Sequence, residues 1–226
     1  MKILIIHGQN HKGSTYHIAH MLAEKIKGDI KEFFLPRDFG EFCVGCTKCF
    51  MESEKKCSHY EKLKPLTDAM DEADVIILAS PVYVYHVTGA MKTFLDHYGY
   101  RWMVHRPQES MFRKQGVCIS TAAGAGMKPT NKDMADSLFF WGVAKRYQYG
   151  VRVAAVNWNG VSEKKKCAID KATSGIAKKI VNNSKHGIKT RAMFWAMHFA
   201  QRKGFNPCDA EYWKSKGWTG KKRPWK

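Results

Sequence analysis

Short apolar segments alternate with amphipathic ones along the first 182 residues. Residues 75–78, Val-Ile-Ile-Leu, are apolar without polar alternation, which is typical of a parallel strand covered on both faces. Ser80 and Pro81 are predicted to end this strand, because proline has no N–H to donate to the strand ladder. A helix over residues 88–102 is predicted from apolar side chains at helical spacing, namely Met91, Phe94, Leu95 and Tyr98. Strand, turn and helix form the first part of a βαβ unit.

The same alternation recurs on both sides of this unit. Further strands are predicted at residues 2–6, 29–35, 115–121 and 150–156. Helices are predicted from these apolar stripes: Ile18, Met21, Leu22 and Ile26; Leu63, Leu66 and Met70; Met134, Leu138 and Trp141 within residues 131–146; Ile169, Ala172, Ile176 and Ile180 within residues 162–182. Five strands that alternate with helices predict an α/β fold with one parallel sheet and right-handed crossovers. The flavodoxin-like strand order 2-1-3-4-5 is the natural choice.

This strand order brings three loops together at one edge of the sheet. They follow strands 1, 3 and 4 and comprise residues 8–15, 81–88 and 121–126. In open α/β sheets, ligands bind outside the carboxyl ends of the strands, where the strand order reverses. The small residues of the third loop allow a flat ligand to approach the backbone closely. We therefore expect the binding site at this edge.

The first loop has features that suit an anion. Gly13 allows a tight turn, and Ser14 or Thr15 can cap the helix that follows. A helix N-terminus favours a phosphate, and His11 or Lys12 lies nearby in the sequence. The loop has neither the Gly-Lys-Ser/Thr order of a P-loop nor the Gly-x-Gly-x-x-Gly pattern.

Four of the seven cysteines lie close together in the spacing C-x2-C-x2-C-x7-C, at Cys43, Cys46, Cys49 and Cys57. Thiolates at this density can hold an iron–sulfur cluster or zinc, or form redox disulfides. They can also be free structural thiols. An odd number of cysteines with this clustering does not suggest a secreted disulfide framework.

Composition limits the remaining possibilities. The chain has 226 residues and 44% hydrophobic content, which suits one α/β domain with extensions. It has no apolar run of the roughly 18 residues that a membrane-spanning helix needs. Its N-terminal apolar segment is too short for a signal peptide, so we expect a cytoplasmic protein.

Positive charge is concentrated near the C-terminus. The formal net charge is +18, and residues 161–226 hold 17 Lys and Arg against 4 Asp and Glu. Such a region can attract nucleic acid, a membrane surface or anionic substrates, although a solvated face is the more ordinary explanation. Nucleic-acid binding would leave the three converging loops without a role, so we rank it low.

The chain divides into a domain of residues 1–186, with a cysteine-rich insert at 40–60, and a C-terminal extension of residues 187–226. Residues 192–200 are apolar nearly all round, so as a helix they must be buried. A partner subunit is the preferred cover, and the chain's own domain or a membrane surface are the alternatives. The tail after this helix interleaves aromatic and basic residues, which suits cation–π contacts with the domain or stacking on bases.

The chain resembles the NADPH-dependent FMN reductase family of flavodoxin-like proteins over most of residues 1–157. The resemblance rests on residues 80–83 (Ser-Pro-Val-Tyr), 89–92 (Gly-Ala-Met-Lys) and 94–96 (Phe-Leu-Asp), together with the cysteine segment. It implies FMN across the carboxyl edge of the sheet, with no catalytic side chain because the flavin carries the chemistry. The residues it places at FMN are Gln9, His11, Gly13, Ser14, Thr15, Pro81, Val82, Tyr83, Val84, Thr121, Ala122, Ala123 and Gly124.

The first loop departs from the family pattern Gly-Ser-Pro-Arg-x-x-Gly-Asn-Thr, because here it reads Gly-Gln-Asn-His-Lys-Gly-Ser-Thr. Gln9 and His11 replace family residues, whereas Ser14 and Thr15 keep the required chemistry. Tyr83, Tyr85 and His86 are expected to shape the substrate pocket. His86 is either a proton donor or, more ordinarily, a plain loop histidine.

The cysteine run is similar to that of the iron–sulfur flavoproteins, a branch of the same family. This similarity implies a [4Fe-4S] cluster near the flavin, held by Cys43, Cys46, Cys49 and Cys57. The expected function is electron transfer from NAD(P)H through FMN to a small acceptor, such as a quinone or free flavin. The alternative is an electron carrier that holds both FMN and the cluster. A homodimer is expected, because flavin sites in this family often lie at subunit interfaces.

Overall fold

A computed structural model describes residues 1–182, 187–204 and 206–226. One sheet contains five parallel strands in the order β2-β1-β3-β4-β5, which confirms the predicted α/β, flavodoxin-like arrangement. The strands are β1 (Lys2–His7), β2 (Asp29–Phe34), β3 (Val75–Pro81), β4 (Gln115–Ala122) and β5 (Lys145–Arg152).

Helices connect the strands and continue beyond them. They are α1 (Ser14–Ile26), α2 (Lys48–Met51), α3 (Tyr60–Glu72), α4 (Gly89–Asp96), α5 (Met127–Phe140), α6 (Glu163–Asn182), α7 (Ile188–Gln201) and α8 (Pro207–Ser215). Short 3₁₀ turns occur at Glu54–Lys56, Gly99–Arg101 and Glu109–Arg113.

The two faces of the sheet bury separate apolar clusters. Ile3 and Ile5 of β1 pack in the cluster that includes the apolar sides of α1 and α6. Leu4 and Ile6 belong to the opposite cluster, with residues of α3, α4 and α5. Because successive side chains of a strand point to opposite faces, a strand buried on both sides has no polar alternation. This packing explains the pattern from which the sheet was predicted.

The strand β3 ends at Pro81, which confirms the prediction that Ser80 and Pro81 end it. Pro81 pairs with Thr121 in the register of β3 and β4, and the N–H of Val82 donates to the carbonyl of Thr121 at 2.9 Å. A proline at the last position of a strand removes only one ladder donor. The strand therefore reaches the sheet edge before the chain turns.

Two predicted boundaries near the fifth strand were wrong. The helix predicted over 131–146 ends at Phe140, because Gly142 takes a φ of +94° and turns the chain. The strand predicted at 150–156 is Lys145–Arg152, an edge strand with alternately exposed residues. Its polar composition hid it, because solvent on one side removes the need for a continuous apolar run. Likewise, the helix predicted over 88–102 ends at Asp96.

The C-terminal extension packs on its own domain. Phe194 of α7 stacks on Trp213 of α8, with ring centroids 4.9 Å apart. Both rings are fully buried in a cluster that contains Met103 and Phe112 of the domain. The preferred expectation of a partner subunit as cover for this face of α7 was therefore wrong. The division of the chain at residue 186 stays a prediction.

One side of α7 is left exposed, where Trp195 and Phe199 are 41% and 59% accessible. In the described parts of the chain, no helix has both the length and the apolar character needed to cross a membrane.

Candidate functional site

The three predicted loops meet at the carboxyl edge of the sheet around a cleft of about 220 Å³. The predicted site residues that line it are Gln9, His11, Gly13, Ser14, Thr15, Pro81, Val82, Tyr83, Thr121, Ala122 and Ala123. The cleft is also lined by residues that the sequence did not point to, namely His7, Tyr16, Ala79, Val153, Ala155 and Val156. Val84 and Gly124 lie outside the lining, and Val84 is 94% exposed.

One end of the cleft is the N-terminus of α1. Gly13 precedes the helix in an extended conformation, and no side chain of the described residues caps the helix there. The first-turn N–H groups of an uncapped helix are donors for an anion. The buried hydroxyls of Thr15 and Thr121 share a hydrogen bond of 2.6 Å, which ties this end to the loop after β4. The chemistry of this end fits a phosphate group.

His11 lies directly over the backbone at Gly13. A Cβ added at Gly13 would lie 3.0 Å from Nε2 of His11. A side chain at this position would therefore displace the His11 ring from the phosphate end of the cleft.

Thr88 fixes the first loop against the loop after β3. Its buried hydroxyl donates to the carbonyl of Gly8 at 2.6 Å and accepts from the N–H of Met91 at 3.1 Å. Its own N–H donates to Oγ of Ser80 at 3.1 Å. Thr88 therefore caps α4 and holds two walls of the cleft together.

The loop after β3 forms a tight turn at the mouth of the cleft. Tyr83 and His86 exchange two backbone hydrogen bonds of 3.0 Å, and between them Val84 and Tyr85 have φ values of +48° and +68°. A β-branched residue such as valine rarely adopts this left-handed conformation, which marks a locally strained turn. Nε2 of Gln9 donates to the Tyr83 hydroxyl at 2.9 Å across the cleft.

The third loop approaches this turn closely at Gly126. The φ of Gly126 is +98°, and a Cβ there would lie 2.6 Å from Cγ1 of Val82. A glycine is therefore required both by the backbone conformation and by the contact. Further along, Nδ1 of His86 pairs with Oδ2 of Asp133 at 2.9 Å.

A cluster of three polar side chains, His7, His20 and Glu32, borders the cleft through His7. Nε2 of His7 and Nε2 of His20 lie 3.1 and 2.8 Å from the same carboxylate oxygen of Glu32. Burial lowers the pKa of His7 to about 4. Burial opposes ionisation of Glu32, but the hydrogen bonds with His20 and His7 hold the pKa of this carboxyl below its usual value. The three donor atoms lie within 4.8 Å of one another and could hold a metal ion.

The four clustered cysteines line a separate cavity of about 70 Å³, together with His59 and His97. Cys43 and Cys46 are exposed, whereas Cys49 and Cys57 are half-buried. Burial, followed by the neighbouring thiols, raises the pKa of Cys49 to about 11.

The two histidines of this cavity are linked. Nδ1 of His97 donates to the carbonyl of Thr93 at 2.8 Å, and Nε2 of His97 lies 3.0 Å from Nδ1 of His59. Because a carbonyl only accepts, Nδ1 of His97 carries the proton. Burial lowers the pKa of His97, so its Nε2 is free to accept from His59.

Two sets of side-chain donor atoms in the described part of the chain lie close enough together to share one metal ion. Among the residues that the structure describes, the sets of three or more donors within 4.8 Å are His7, His20 and Glu32, and Cys57, His59 and His97. A single tetrahedral zinc ion brings four sulfur atoms to about 3.8 Å from one another. No three of the four cysteine thiols, all of which the structure describes, form such a close set.

Comparison with known proteins identifies the family of the chain. The sequence profile described as NADPH-dependent FMN reductase matches residues 1–153. An iron-sulfur flavoprotein of Archaeoglobus fulgidus is 39% identical over 88 residues, which cover 38% of this chain and 36% of that protein. An NADPH azoreductase of Bacillus sp. (strain OY1-2) is 30% identical over 130 residues, covering 56% of this chain and 61% of that protein. These two alignments thus span about one third to three fifths of the relatives' lengths.

Solved structures show the same fold. A flavone reductase superposes with a TM-score of 0.61 at 16% identity, over 82% of this chain and 66% of that chain. At this identity the likeness concerns the fold alone. The profile match covers about two thirds of the sequence, and the strand order and the cleft at the sheet edge agree with it. The chain therefore belongs to the NADPH-dependent FMN reductase family of oxidoreductases.

Proposed function

We propose that the protein binds FMN in the cleft at the sheet edge and uses it to pass electrons from NAD(P)H to a small acceptor, such as a quinone or a flavin. The observation that carries this proposal is the cleft itself, which joins an uncapped helix N-terminus to a wall of small residues. When bound, FMN supplies the redox chemistry, and the protein supplies position and electrostatics.

The phosphate end is assigned to the first turn of α1. The N–H groups that follow Gly13, with the hydroxyls of Ser14 and Thr15, would bind the phosphate oxygens. Both hydroxyl residues are buried, at 8% and 7% exposure, so their positions are fixed before the ligand arrives. His11 would close this end from above.

The ring end is assigned to the two loops that face each other across the cleft. Residues 81–83 would lie against one side of the ring system and residues 121–123 against the other. The bond from Gln9 to Tyr83 would hold the mouth of the cleft at a fixed width. His86 is held by Asp133 rather than turned into the cleft, which favours a structural histidine over a proton donor.

Steady-state oxidation of NADPH and of NADH by the FMN-loaded protein tests this function. We expect oxidation of at least one nucleotide when a quinone is supplied, well above the rate with the same amount of free FMN. If the loaded protein oxidises neither nucleotide faster than free FMN does, the reductase proposal is wrong.

A second candidate function is electron transfer by a protein that holds FMN and a [4Fe-4S] cluster. It is supported by the four thiols around one cavity, Cys43, Cys46, Cys49 and Cys57. The cluster would lie beside His59 and His97. This candidate predicts slow turnover with NAD(P)H and rapid exchange with a protein partner.

Iron and acid-labile sulfide assays on anaerobically purified protein test the second candidate. We expect about four irons per chain, as four thiolates would hold, and their loss in Cys57→Ser but not in the matched surface variant Cys167→Ser. Equal iron content in the two variants would exclude Cys57 as a ligand, and an iron-free wild type would exclude the cluster.

Two expectations about assembly and location stay predictions. The exposed side of α7, with Trp195 and Phe199, is the part of the extension that a second copy would cover. Light scattering on the purified protein would distinguish a homodimer from a monomer. A cytoplasmic location would be tested by fractionation of cells.

A further inference from the structure

A buried carboxylate of the extension lies beside the cysteine segment. Asp209 of α8 is 1% exposed. Its Oδ1 accepts from Nη1 of Arg106 at 2.8 Å, and its Oδ2 pairs with Nδ1 of His105 at 2.8 Å. A carboxylate this deeply buried needs such partners to offset the loss of its hydration. Asp209 therefore fixes the position of Arg106.

The guanidinium of Arg106 also reaches the cysteine segment. Nη1 donates to the carbonyl of Phe50 at 3.1 Å, and Nη2 donates to the carbonyl of Cys49. A guanidinium is planar and has several donors in a fixed arrangement. Asp209 binds one side of the Arg106 guanidinium. It thereby determines where the guanidinium donates to the backbone carbonyls of α2.

Two more residues of the extension bind the same stretch of backbone. Nδ2 of Asn206 donates to the carbonyl of Phe50 at 3.3 Å, and Sγ of Cys208 lies 2.8 Å from the carbonyl of Met51. The carbonyls of residues 49, 50 and 51 thus each accept from a side chain of another segment. We call Asp209, Arg106, Asn206 and Cys208 the brace.

The cysteine segment needs such external donors. The helix α2 has only four residues, and the last carbonyls of a helix have no partner within it. The segment also lies between β2 and α3, away from the ladder of the sheet. Its conformation therefore depends on contacts from outside.

We propose that the C-terminal extension positions the cysteine site, with Asp209 acting through Arg106 on the backbone of Cys49. This inference rests on the second candidate function above. It assigns Asp209 and Arg106 as positioning residues, since neither is among the residues that line the cysteine cavity. Loss of the carboxylate would free the Arg106 side chain and allow α2 to open.

Alkylation of the metal-free, full-length protein tests the brace. In Asp209→Asn, we expect the thiol of Cys49 to react about tenfold faster than in the wild type, as for a segment that opens locally more often. The matched control is Glu211→Gln, which removes an exposed carboxylate from the same helix. Mass spectrometry follows each cysteine separately, and the buried Cys118 reports global unfolding because it reacts only when the core opens.

A second variant separates charge from geometry. Arg106→Lys keeps a positive charge beside Asp209 but lacks the planar guanidinium with its several donors. We therefore expect Cys49 to be alkylated faster in this variant as well. If Cys49 reacts at the same rate in the wild type, Asp209→Asn and Arg106→Lys, the brace has no positioning role. If Cys118 becomes reactive together with Cys49, the effect is global and the proposal is equally wrong.

Reconstitution with iron and sulfide under anaerobic conditions provides the spectroscopic readout. We expect Asp209→Asn to hold less iron per chain than Glu211→Gln and to differ from it in visible absorbance. Equal iron content and equal spectra would contradict the positioning role. If the wild type itself takes up no iron, the second candidate function fails, whereas the alkylation rates still decide whether the brace holds the segment.

Discussion

The cleft at the sheet edge and the cysteine site take their residues from different kinds of structure. The cleft is formed by loops that leave the ends of three adjacent parallel strands, and each loop is fixed within a few residues of its strand. The cysteine site is formed by a four-residue helix and the irregular segments around it, and its backbone is held by Arg106 and by the extension. The first site belongs to the fold, whereas the second depends on contacts from distant parts of the chain.

Because the described residues of the extension contact the cysteine site but do not line the cleft, a substitution that loosens the extension should change the cysteine site and leave the cleft unchanged. Trp213→Ala removes a fully buried ring from the cluster that holds α7 and α8. We expect a loss of about 4 kcal/mol in the free energy of unfolding of that cluster, faster alkylation of Cys49 and unchanged FMN affinity. Trp195→Ala, which removes a ring that is 41% exposed, is the control. A fall in FMN affinity together with the change at Cys49 would contradict the separation of the two sites.

The converse change is Thr15→Glu at the phosphate end of the cleft. A negative charge there opposes the phosphate and breaks the hydrogen bond to Thr121, so we expect FMN affinity to fall by about 100-fold or more. Isothermal titration measures the affinity, and circular dichroism checks the fold. Ser174→Glu, on the exposed side of α6, adds the same charge elsewhere. Full FMN affinity in a folded Thr15→Glu protein would place the phosphate somewhere else.

Because His7 is buried in the wall of the cleft, the stability of the protein should fall as the pH is lowered. The pKa of His7 is lowered by burial to about 4, whereas in an unfolded chain it is about 6.5. The unfolded chain therefore binds a proton more readily between these values. The stability that the neutral ring contributes is complete above pH 6.5 and is lost as the pH falls toward 4.

Urea unfolding at pH 7 and pH 5 measures this contribution. We expect wild-type stability to fall by about 2 kcal/mol more than that of His7→Gln over this interval. His11→Gln, a change at an exposed loop histidine, should keep the wild-type dependence. Identical pH dependence in the wild type and His7→Gln would show that His7 is not held neutral.

The smallest expected effect concerns the third loop. In Gly126→Ala, the added methyl group would meet Val82 in a backbone conformation that alanine disfavours. We expect a loss of about 1–2 kcal/mol in stability and a several-fold weaker affinity for FMN, both followed by titration. Gly124→Ala is the matched control, because a Cβ at Gly124 meets no atom of the described residues within 4 Å. Equal behaviour of the two variants would mean that the close approach at Gly126 is not needed.

The two sites also differ in how far the sequence alone predicts them. The strand order and the three loops of the cleft follow from local patterns, since a strand buried on both faces has an unmistakable apolar run. The edge strand β5 was misplaced because its polar, half-exposed residues carry no such signal. By contrast, the end of β3 was predicted correctly at Pro81, because proline cannot donate to the strand ladder.

Contacts between distant segments could not be read from local patterns. His7, His20 and Glu32 come from a strand, a helix and a second strand, and nothing in their spacing indicates that they meet. Asp209 and Arg106 are separated by 103 positions in the sequence. The spacing of the cysteines could be recognised in the sequence. The side-chain contacts that position their backbone could not, because they depend on how the extension packs.

The most direct test of the account is a titration of the metal-free wild-type protein with FMN, followed by flavin fluorescence and paired with Thr15→Glu. We expect saturable binding of one FMN per chain in the wild type and loss of that binding in the variant. A wild-type protein that takes up no FMN, or a variant that binds it equally well, would contradict the assignment of the cleft as the flavin site.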